Sequence, residues 1–336
     1  MLHKGPGRVK RGVAGAASDA LSVPEGGLAP GRRDTAVGSA ARLSFGWREN
    51  PWRLAMPQLV PGKSDAGLDA GLAERVTAHL VGVIERTAVE SEPFAHQVLV
   101  DPLPPADYRK VLEALPADHY YRELMHYDAR LPDGRSARLQ FPLLPANIRR
   151  LPGWQRSVWL ALAAGFTDVR VVEAYRKVFA ATLAQVSGRA PGSLRLRPYL
   201  TLFRDLGGYR ISIHPDSPRK AITTQYYLPS DESQLHLGTL FHARAADGSY
   251  TLARAMRFAP NTGYAFAVCP SSFHSVSPMR PEDRPRNSLM LIIQHDRGPV
   301  VEGFRSARGQ LRALWDRLRG DVAEPREQGE GRVQSM

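Results

Sequence analysis

The triplet His214-Pro215-Asp216 places an imidazole and a carboxylate two residues apart. Side chains of an extended strand alternate between two faces, so both groups would point the same way. A later histidine, His274, would complete a set of two imidazoles and one carboxylate, which can hold a divalent metal such as Fe(II) and leave coordination positions open. The sequence therefore predicts a metal centre with His214, Asp216 and His274 as its ligands.

Arg286 follows His274 by twelve residues and opens the apolar run NSLMLII. A guanidinium inside an apolar strand is costly unless it meets an anion, and a carboxylate fits its planar fork. We therefore expect Arg286 to bind a carboxylate. Arg284 is the alternative, because a strand can slip by two residues and keep the same face inward. The His-x-Asp triplet alone is weak evidence for a metal site, whereas its combination with a distal histidine and an Arg-x-Ser pair is much more specific for such a site.

The chain of 336 residues changes character twice. Residues 1–68 are rich in Gly, Ala, Pro and Arg and lack apolar periodicity, which predicts a disordered basic N-terminal segment. A second interpretation is that translation starts at Met56 and that residues 1–55 come from a start site placed too early, since Met56 begins a stretch of more ordinary composition. Residues 69–319 are predicted to form a single domain, followed by a flexible tail at 320–336.

Within that domain, helical spacing dominates residues 69–190 and short apolar runs separated by turn residues dominate residues 193–297. The front part predicts helices over 69–90, 105–115 and 154–187, a short strand at 96–100 and an irregular excursion at 119–150. The back part is typical of a β-sandwich or barrel. A last helix is predicted at about 304–318.

Residues from about 93 to 295, roughly two-thirds of the chain, resemble the Fe(II)/2-oxoglutarate-dependent dioxygenase superfamily and most of all its prolyl-4-hydroxylase-like branch. The resemblance lies in three segments: PFAHQVLVDPLPPADYRKVLEALP, GGYRISIHPDSPRKAITTQYYLPSDESQLHLGTLFH and NTGYAFAVCPSSFHSVSPMRPEDRPRNSLMLIIQH. It implies a mainly β fold with flanking α-helices around a double-stranded β-helix, or jelly-roll, core.

The resemblance also implies roles for individual residues. His214, Asp216 and His274 would bind Fe(II), while Arg286 and Ser288 would bind the distal carboxylate of 2-oxoglutarate. Tyr227 would direct its hydroxyl at the same co-substrate, and Thr223 and Gln225 would line the pocket from the same strand face. Tyr209 receives no co-substrate role, because the stretch between it and His214 is longer than in many related proteins.

The implied reaction couples oxidative decarboxylation of 2-oxoglutarate, with O2, to oxidation of a C–H bond and releases succinate and CO2, with ascorbate as a stimulant. Asp216 favours oxygenation over halogenation, since related halogenases lack this carboxylate. The predicted substrate is a small-molecule metabolite or biosynthetic intermediate, most simply hydroxylated. A prolyl-type hydroxylase of peptide side chains and a non-catalytic β-sandwich or cupin-like binding module are the alternatives.

Composition narrows the range of partners. The formal charge of +12 comes from arginines scattered among acids, which favours a solvated surface over nucleic-acid binding, and the Asn-x-Tyr motif of nucleic-acid demethylases is absent. The single cysteine, Cys269, excludes an internal disulfide, suits the cytoplasm and is expected to be a buried, inert thiol. No apolar run is long enough to predict a membrane span. The sequence does not indicate an oligomeric state.

Overall fold

The computed structural model of the protein describes residues 69–124 and 127–296, with only the backbone of Tyr127. The predicted N-terminal segment (1–68), the start-site hypothesis, the C-terminal helix (304–318) and the tail (320–336) lie outside the described residues. The domain boundaries at 69 and 319 stay predictions. Within the described part of the chain, no helix combines the length and the apolar character that crossing a membrane requires.

The helices precede the main run of strands. They are α1 (Ala70–Arg86), α2 (Pro105–Glu113), α3 (Pro145–Ile148), α4 (Gly153–Phe166), α5 (Val169–Val178) and α6 (Ala180–Ser187). Helix α1 begins at Asp69, whose carboxylate accepts a hydrogen bond from the Leu72 N–H at 2.9 Å. The predicted helical stretch 154–187 is three helices rather than one, because Asp168 caps a new helix and Phe179 separates the last two.

The described strands form two antiparallel sheets. They are β1 (His96–Val100), β2 (Arg122–Glu123), β3 (Arg138–Pro142), β4 (Leu196–Asp205), β5 (Ile211–His214), β6 (Lys220–Tyr227), β7 (Thr239–Arg244), β8 (Tyr250–Ala255), β9 (Thr262–Ala267), β10 (Phe273–Val276) and β11 (Arg286–His295). The larger sheet has the order β1-β9-β6-β11-β4-β3-β2, and the smaller has the order β5-β10-β7-β8.

Strands β4 to β11 supply four neighbouring strands to each sheet: β9-β6-β11-β4 in the larger and β5-β10-β7-β8 in the smaller. This arrangement is a double-stranded β-helix, because the chain passes repeatedly from one sheet to the other as it winds. The predicted fold class, mainly β with flanking helices around a jelly-roll core, is confirmed. Strands β1, β2 and β3 extend the larger sheet beyond the eight-stranded core.

The prediction of an irregular excursion over residues 119–150 is wrong in its second half, where β3 pairs with β4 from Arg138↔Asp205 to Pro142↔Thr201. Phe141 faces the apolar helix side of the sheet, while Arg138 and Gln140 are buried on the other side. Residues Arg138 to Phe141 alternate polar and apolar, but this run covers only four residues and ends at Pro142. So short a run was missed in the sequence.

Two apolar clusters cover the two faces of the larger sheet. The helix-side cluster unites α1 and α4 with strand residues such as Leu202, Tyr226 and Leu289. The inter-sheet cluster is rich in aromatic rings, among them Phe241 and Phe266. Polar side chains on the face toward the smaller sheet therefore lie among apolar side chains, and each needs a hydrogen-bond or ion-pair partner there.

The helix-side cluster should carry stability independently of the site between the sheets. Leu80→Ala removes a side chain with no exposed surface, so we expect the free energy of unfolding to fall by about 2–5 kcal/mol. Urea denaturation followed by circular dichroism measures this loss. Leu252→Ala is the control, since a side chain 58% exposed should change stability by no more than about 0.5 kcal/mol. Equal losses in the two variants would contradict the assignment of the core.

Candidate metal centre

The three predicted ligands converge at the edge of the smaller sheet that β5 and β10 form. His214 ends β5 and lies directly opposite His274 in β10, with the ring centroids 4.4 Å apart. Asp216 follows two residues after His214, and one ligand atom from each of the three side chains lies within 4.8 Å of the others. The carboxylate of Asp216 and the ring of His274 are buried, while His214 is partly exposed.

Backbone carbonyls fix the tautomers of both histidines. Nδ1 of His214 lies 2.8 Å from the carbonyl oxygen of Ser212, and Nδ1 of His274 lies 3.0 Å from that of Ser272. A carbonyl oxygen only accepts, so each Nδ1 carries the proton and each Nε2 keeps a lone pair for a metal. Ser212 is held in turn, because its N–H and its hydroxyl both donate to Asp128, at 3.2 and 3.0 Å.

Asp216 stays ionised although it is buried. Burial raises the pKa of its carboxyl, but the Lys220 ammonium, the nearby His274 and hydrogen bonds from Lys220 and Thr223 outweigh burial and hold the pKa well below its usual range. The Thr223 hydroxyl donates to Oδ2 at 2.6 Å, and Nζ of Lys220 pairs with Oδ1. The position therefore offers a metal a carboxylate and not a carboxylic acid.

Both imidazoles are neutral at neutral pH. Burial lowers the pKa of His274 to about 4, which the neighbouring Asp216 only partly offsets, and burial also lowers the pKa of His214. Neutral imidazole is the form that binds metals. Two imidazoles with free Nε2 atoms and one ionised carboxylate fit Fe(II) in its 2-His-1-carboxylate ligand set, so these residues suit the metal that the sequence predicts.

Lys220 was not foreseen as part of this site. A turn, in which the Lys220 N–H donates to the Ser217 carbonyl at 2.9 Å, brings the ammonium back to Asp216. Its residue type alone does not distinguish Lys220 from the neighbouring Arg210 and Arg219. The signal that existed was its spacing of four residues from the predicted ligand Asp216.

Arg286 lies between the sheets with no exposed surface, and the anion that it meets there is Asp205 of β4. Its Nη1 donates to Asp205 Oδ2 at 2.7 Å, and its Nε donates to the Leu237 carbonyl at 2.6 Å. Nη2 makes only long contacts, at 3.4 Å, with Gln225 Oε1 and Thr239 Oγ1. A guanidinium has five N–H donors, so Nη2 retains capacity for a further acceptor.

The other residues predicted for co-substrate binding surround Arg286. The Tyr227 hydroxyl accepts from the Thr239 N–H at 2.9 Å and donates to its Oγ1 at 3.2 Å, while the ring centroid lies 5.4 Å from the Arg286 guanidinium. Ser288 accepts from Gln225 Nε2 at 2.8 Å, and the Tyr264 hydroxyl donates to Gln225 Oε1 at 2.8 Å. Thr239, Tyr264 and Asp205 were missed in the sequence because they reach this network from other strands.

Two predicted residues lie elsewhere than the pocket around Arg286. Thr223 faces the metal end of the site, where it holds Asp216. Arg284 is exposed and donates to both carboxylate oxygens of Asp231, at 2.6 and 2.9 Å. The arginine that points into the sandwich is therefore Arg286. Cys269 is only partly buried, contrary to the expectation of a buried thiol, because it follows β9 in a turn and not in the strand itself.

The chain is similar in fold to solved 2-oxoglutarate-Fe(II) oxygenases. A prolyl-4-hydroxylase from Pseudomonas putida shares 16% identity at a TM-score of 0.40, over 65% of this chain and 99% of that one. An oxidoreductase of the 2OG-Fe(II) oxygenase family from Burkholderia pseudomallei shares 14% identity at a TM-score of 0.38, over 68% and 93%. The non-heme alpha-ketoglutarate-dependent epimerase SnoN of nogalamycin biosynthesis shares 13% identity at a TM-score of 0.37, over 68% and 84%.

No protein-family model matches the chain, and no curated protein sequence matches it. Likeness at these low identities concerns the course of the backbone, whereas the chemistry depends on the side chains of the site.

Loss of any one ligand should abolish stable binding of Fe(II) or Mn(II). We expect His214→Ala, Asp216→Ala and His274→Ala each to lose the metal in halide-free buffer, because only two protein ligands remain and no halide takes the vacant position. Anaerobic equilibrium dialysis with metal analysis measures this. His242→Ala is the matched control, since His242 is a buried histidine of the adjacent strand β7 whose Nε2 hydrogen-bonds to Ser275 Oγ at 2.7 Å, and it is not among the predicted ligands. Unchanged metal content in the three ligand variants would refute the assignment.

The hydrogen bond from Thr223 to Asp216 should support metal affinity. Thr223→Val removes the hydroxyl at constant shape, and we expect metal affinity to fall by about 10- to 100-fold, the usual cost of losing a residue that orients a ligand. Thr224→Val is the matched control, because the Thr224 hydroxyl donates to the Leu291 carbonyl instead. Isothermal titration with Mn(II) compares the two, and equal affinities would exclude a role for Thr223.

Proposed function

We propose that the protein is an Fe(II)- and 2-oxoglutarate-dependent oxygenase that hydroxylates a C–H bond of a small-molecule metabolite or biosynthetic intermediate. The observation that carries this proposal is the placement of two sites in the space between the two sheets. The ligand set of His214, Asp216 and His274 lies at one end, and the buried guanidinium of Arg286 lies further along. Strand β6 connects the two.

The inner residues of β6 form a line between these two sites. Thr223 contacts Asp216, Gln225 contacts Arg286 and Ser288, and Tyr227 packs against the guanidinium. The stretch from Thr223 to Gln225, whose side chains reach Asp216 and Arg286, spans roughly 7 Å, since a strand rises about 3.3 Å per residue. A 2-oxo dicarboxylate carries a metal-chelating 2-oxo acid group at one end and a second carboxylate at the other. Its two ends therefore match the two ends of this line.

Bound Fe(II) and 2-oxoglutarate would supply the activation of O2 for C–H oxidation, with release of succinate and CO2. The residues of the chain would bind and orient these two groups and exclude water from them. Ser212 and Ser272 orient the imidazoles, while Thr223 and Lys220 keep Asp216 ionised and in place. Aromatic rings restrict water at the metal end, with the Phe266 centroid 5.1 Å from that of His274.

The presence and charge of Asp216 support oxygenation over halogenation. A halide would need the coordination position that the carboxylate takes, and Lys220 and Thr223 hold that carboxylate ionised at this position. The ligands Asp216 and His274 are also largely buried, so a C–H bond has to enter a confined space to reach the metal. A small molecule meets this requirement without local rearrangement of a folded substrate.

Turnover of 2-oxoglutarate tests the proposal. Anaerobically Fe(II)-loaded protein, given O2, 2-oxoglutarate and ascorbate, should release succinate, and a fractionated pool of bacterial metabolites should increase the rate. N-Oxalylglycine should suppress the release by competition. Succinate is quantified by mass spectrometry, with His274→Ala as the blank.

Two outcomes would count against the proposal. Absence of succinate under all conditions, with Fe(II) bound, would contradict the oxygenase function. Stimulation by a proline-containing peptide library and not by metabolites would replace the small-molecule substrate with a peptide side chain.

A further inference from the structure

Two residues of β6, Lys220 and Thr223, each engage one carboxylate oxygen of Asp216. The Lys220 ammonium pairs with Oδ1, and the Thr223 hydroxyl donates to Oδ2 at 2.6 Å. These two partners differ in charge, because the hydroxyl is neutral and the ammonium is a full cation. A metal that binds the same carboxylate is compatible with the hydroxyl, whereas it is repelled by the ammonium.

The Lys220 ammonium lies within electrostatic reach of all three predicted ligands. Burial is the main cause that lowers the pKa of His214 and of His274, and the ammonium lowers both further. Loss of the ammonium would make the surroundings of the ligands more negative by one charge. This change does not depend on the other charged groups nearby, among them Asp128, whose carboxylate acts on His214. A divalent cation is attracted more strongly by the more negative surroundings.

Asp216 and Lys220 differ in their freedom to leave the ion pair. The Asp216 side chain is 5% exposed, and a buried carboxylate without a cation is costly. The Lys220 side chain is 22% exposed and belongs to the first residue of β6, so its flexible stem can carry the ammonium into solvent. The carboxylate therefore stays in place, while the cation that compensates it can be exchanged.

We propose that Lys220 is an exchangeable counter-ion of Asp216, which stabilises the protein before the metal binds, yields the carboxylate to the metal and thereby lowers metal affinity. This inference rests on the metal centre of the proposed function. Its physical basis is a difference between two states, since the ion pair contributes fully only while Asp216 holds no metal. Lys220 should therefore stabilise the fold and weaken the metal site, whereas a lysine that only orients Asp216 would strengthen both.

Isothermal titration of Mn(II) into chelator-treated protein at constant pH tests the direction of this effect. Lys220→Met keeps an unbranched side chain and removes the charge, so Mn(II) affinity should rise by about 10- to 100-fold, the contribution of one charged hydrogen bond. Lys220→Arg keeps the charge and should not raise the affinity. The direction is opposite to that expected for Thr223→Val, although both variants remove a partner of Asp216.

The melting temperature supplies a second readout for the same variant. Without metal, Lys220→Met should melt below wild type, because a buried carboxylate has lost its cation. Saturating Mn(II) should remove most of this deficit, since the metal then compensates Asp216. Lys177→Met is the matched control: this lysine pairs with Glu85 on the surface, so Mn(II) affinity should stay within about twofold. A Mn(II) affinity of Lys220→Met at or below that of wild type, or a melting deficit that Mn(II) leaves unchanged, would overturn the proposal.

Chemical labelling of the wild-type protein carries the test if Lys220→Met does not fold. Reductive methylation followed by mass spectrometry measures how accessible each lysine amine is. Saturating Mn(II) should increase the methylation rate of Lys220, because the ammonium leaves Asp216 for solvent, and should leave the rate of Lys177 unchanged. A rate at Lys220 that Mn(II) does not change, or that it lowers, would contradict the exchange of counter-ions.

The two proposals fail in different ways. If neither wild type nor Lys220→Met binds Mn(II), the metal centre is wrong, and the proposed function with it. If wild type binds Mn(II) and Lys220→Met binds it no more tightly, the metal centre stands and only the role of Lys220 is rejected.

Discussion

Two buried carboxylates, Asp216 and Asp205, impose the constraint around which the space between the sheets is arranged. Each lies among apolar and aromatic side chains, where an unpaired charge would be prohibitively costly. Asp216 is compensated by Lys220 and Thr223, and Asp205 by two arginines. The first arrangement keeps an ionised carboxylate among the predicted metal ligands, and the second holds the Arg286 guanidinium between the sheets. The space between the sheets thus holds a carboxylate at one position and a cationic donor at another.

The fold delivers these groups through strand register rather than through loops. His214 and His274 face each other because β5 and β10 pair antiparallel, and Asp205 meets both arginines because β4 lies between β3 and β11. Register in a buried sheet is strongly specified, since a slip of one residue would turn each side chain to the other face. The helix-side cluster secures the larger sheet from behind. Residues distant from His214, Asp216 and His274 therefore keep these predicted ligands in place.

Much of the site could be predicted from the sequence because its key spacings are local. His-x-Asp needs only the alternation of a strand, and Arg286 at the start of an apolar strand predicts an inward guanidinium. The partners of these residues could not be predicted in the same way. Asp205 and Lys220 reach them through pairing and turns that depend on the whole sheet. Strand β3 was missed for a different reason, since its polar–apolar alternation covers only four residues before Pro142.

Visible absorption of the Fe(II)-loaded protein, titrated with 2-oxoglutarate without O2, tests most directly whether the metal and the pocket form one site. A 2-oxo acid chelated to Fe(II) gives a charge-transfer absorption that neither component has alone. We predict that this absorption saturates at one 2-oxoglutarate per chain, shifts when N-oxalylglycine displaces it, and is absent in His274→Ala. Protein that binds Fe(II) but develops no such absorption at saturating 2-oxoglutarate would contradict the account.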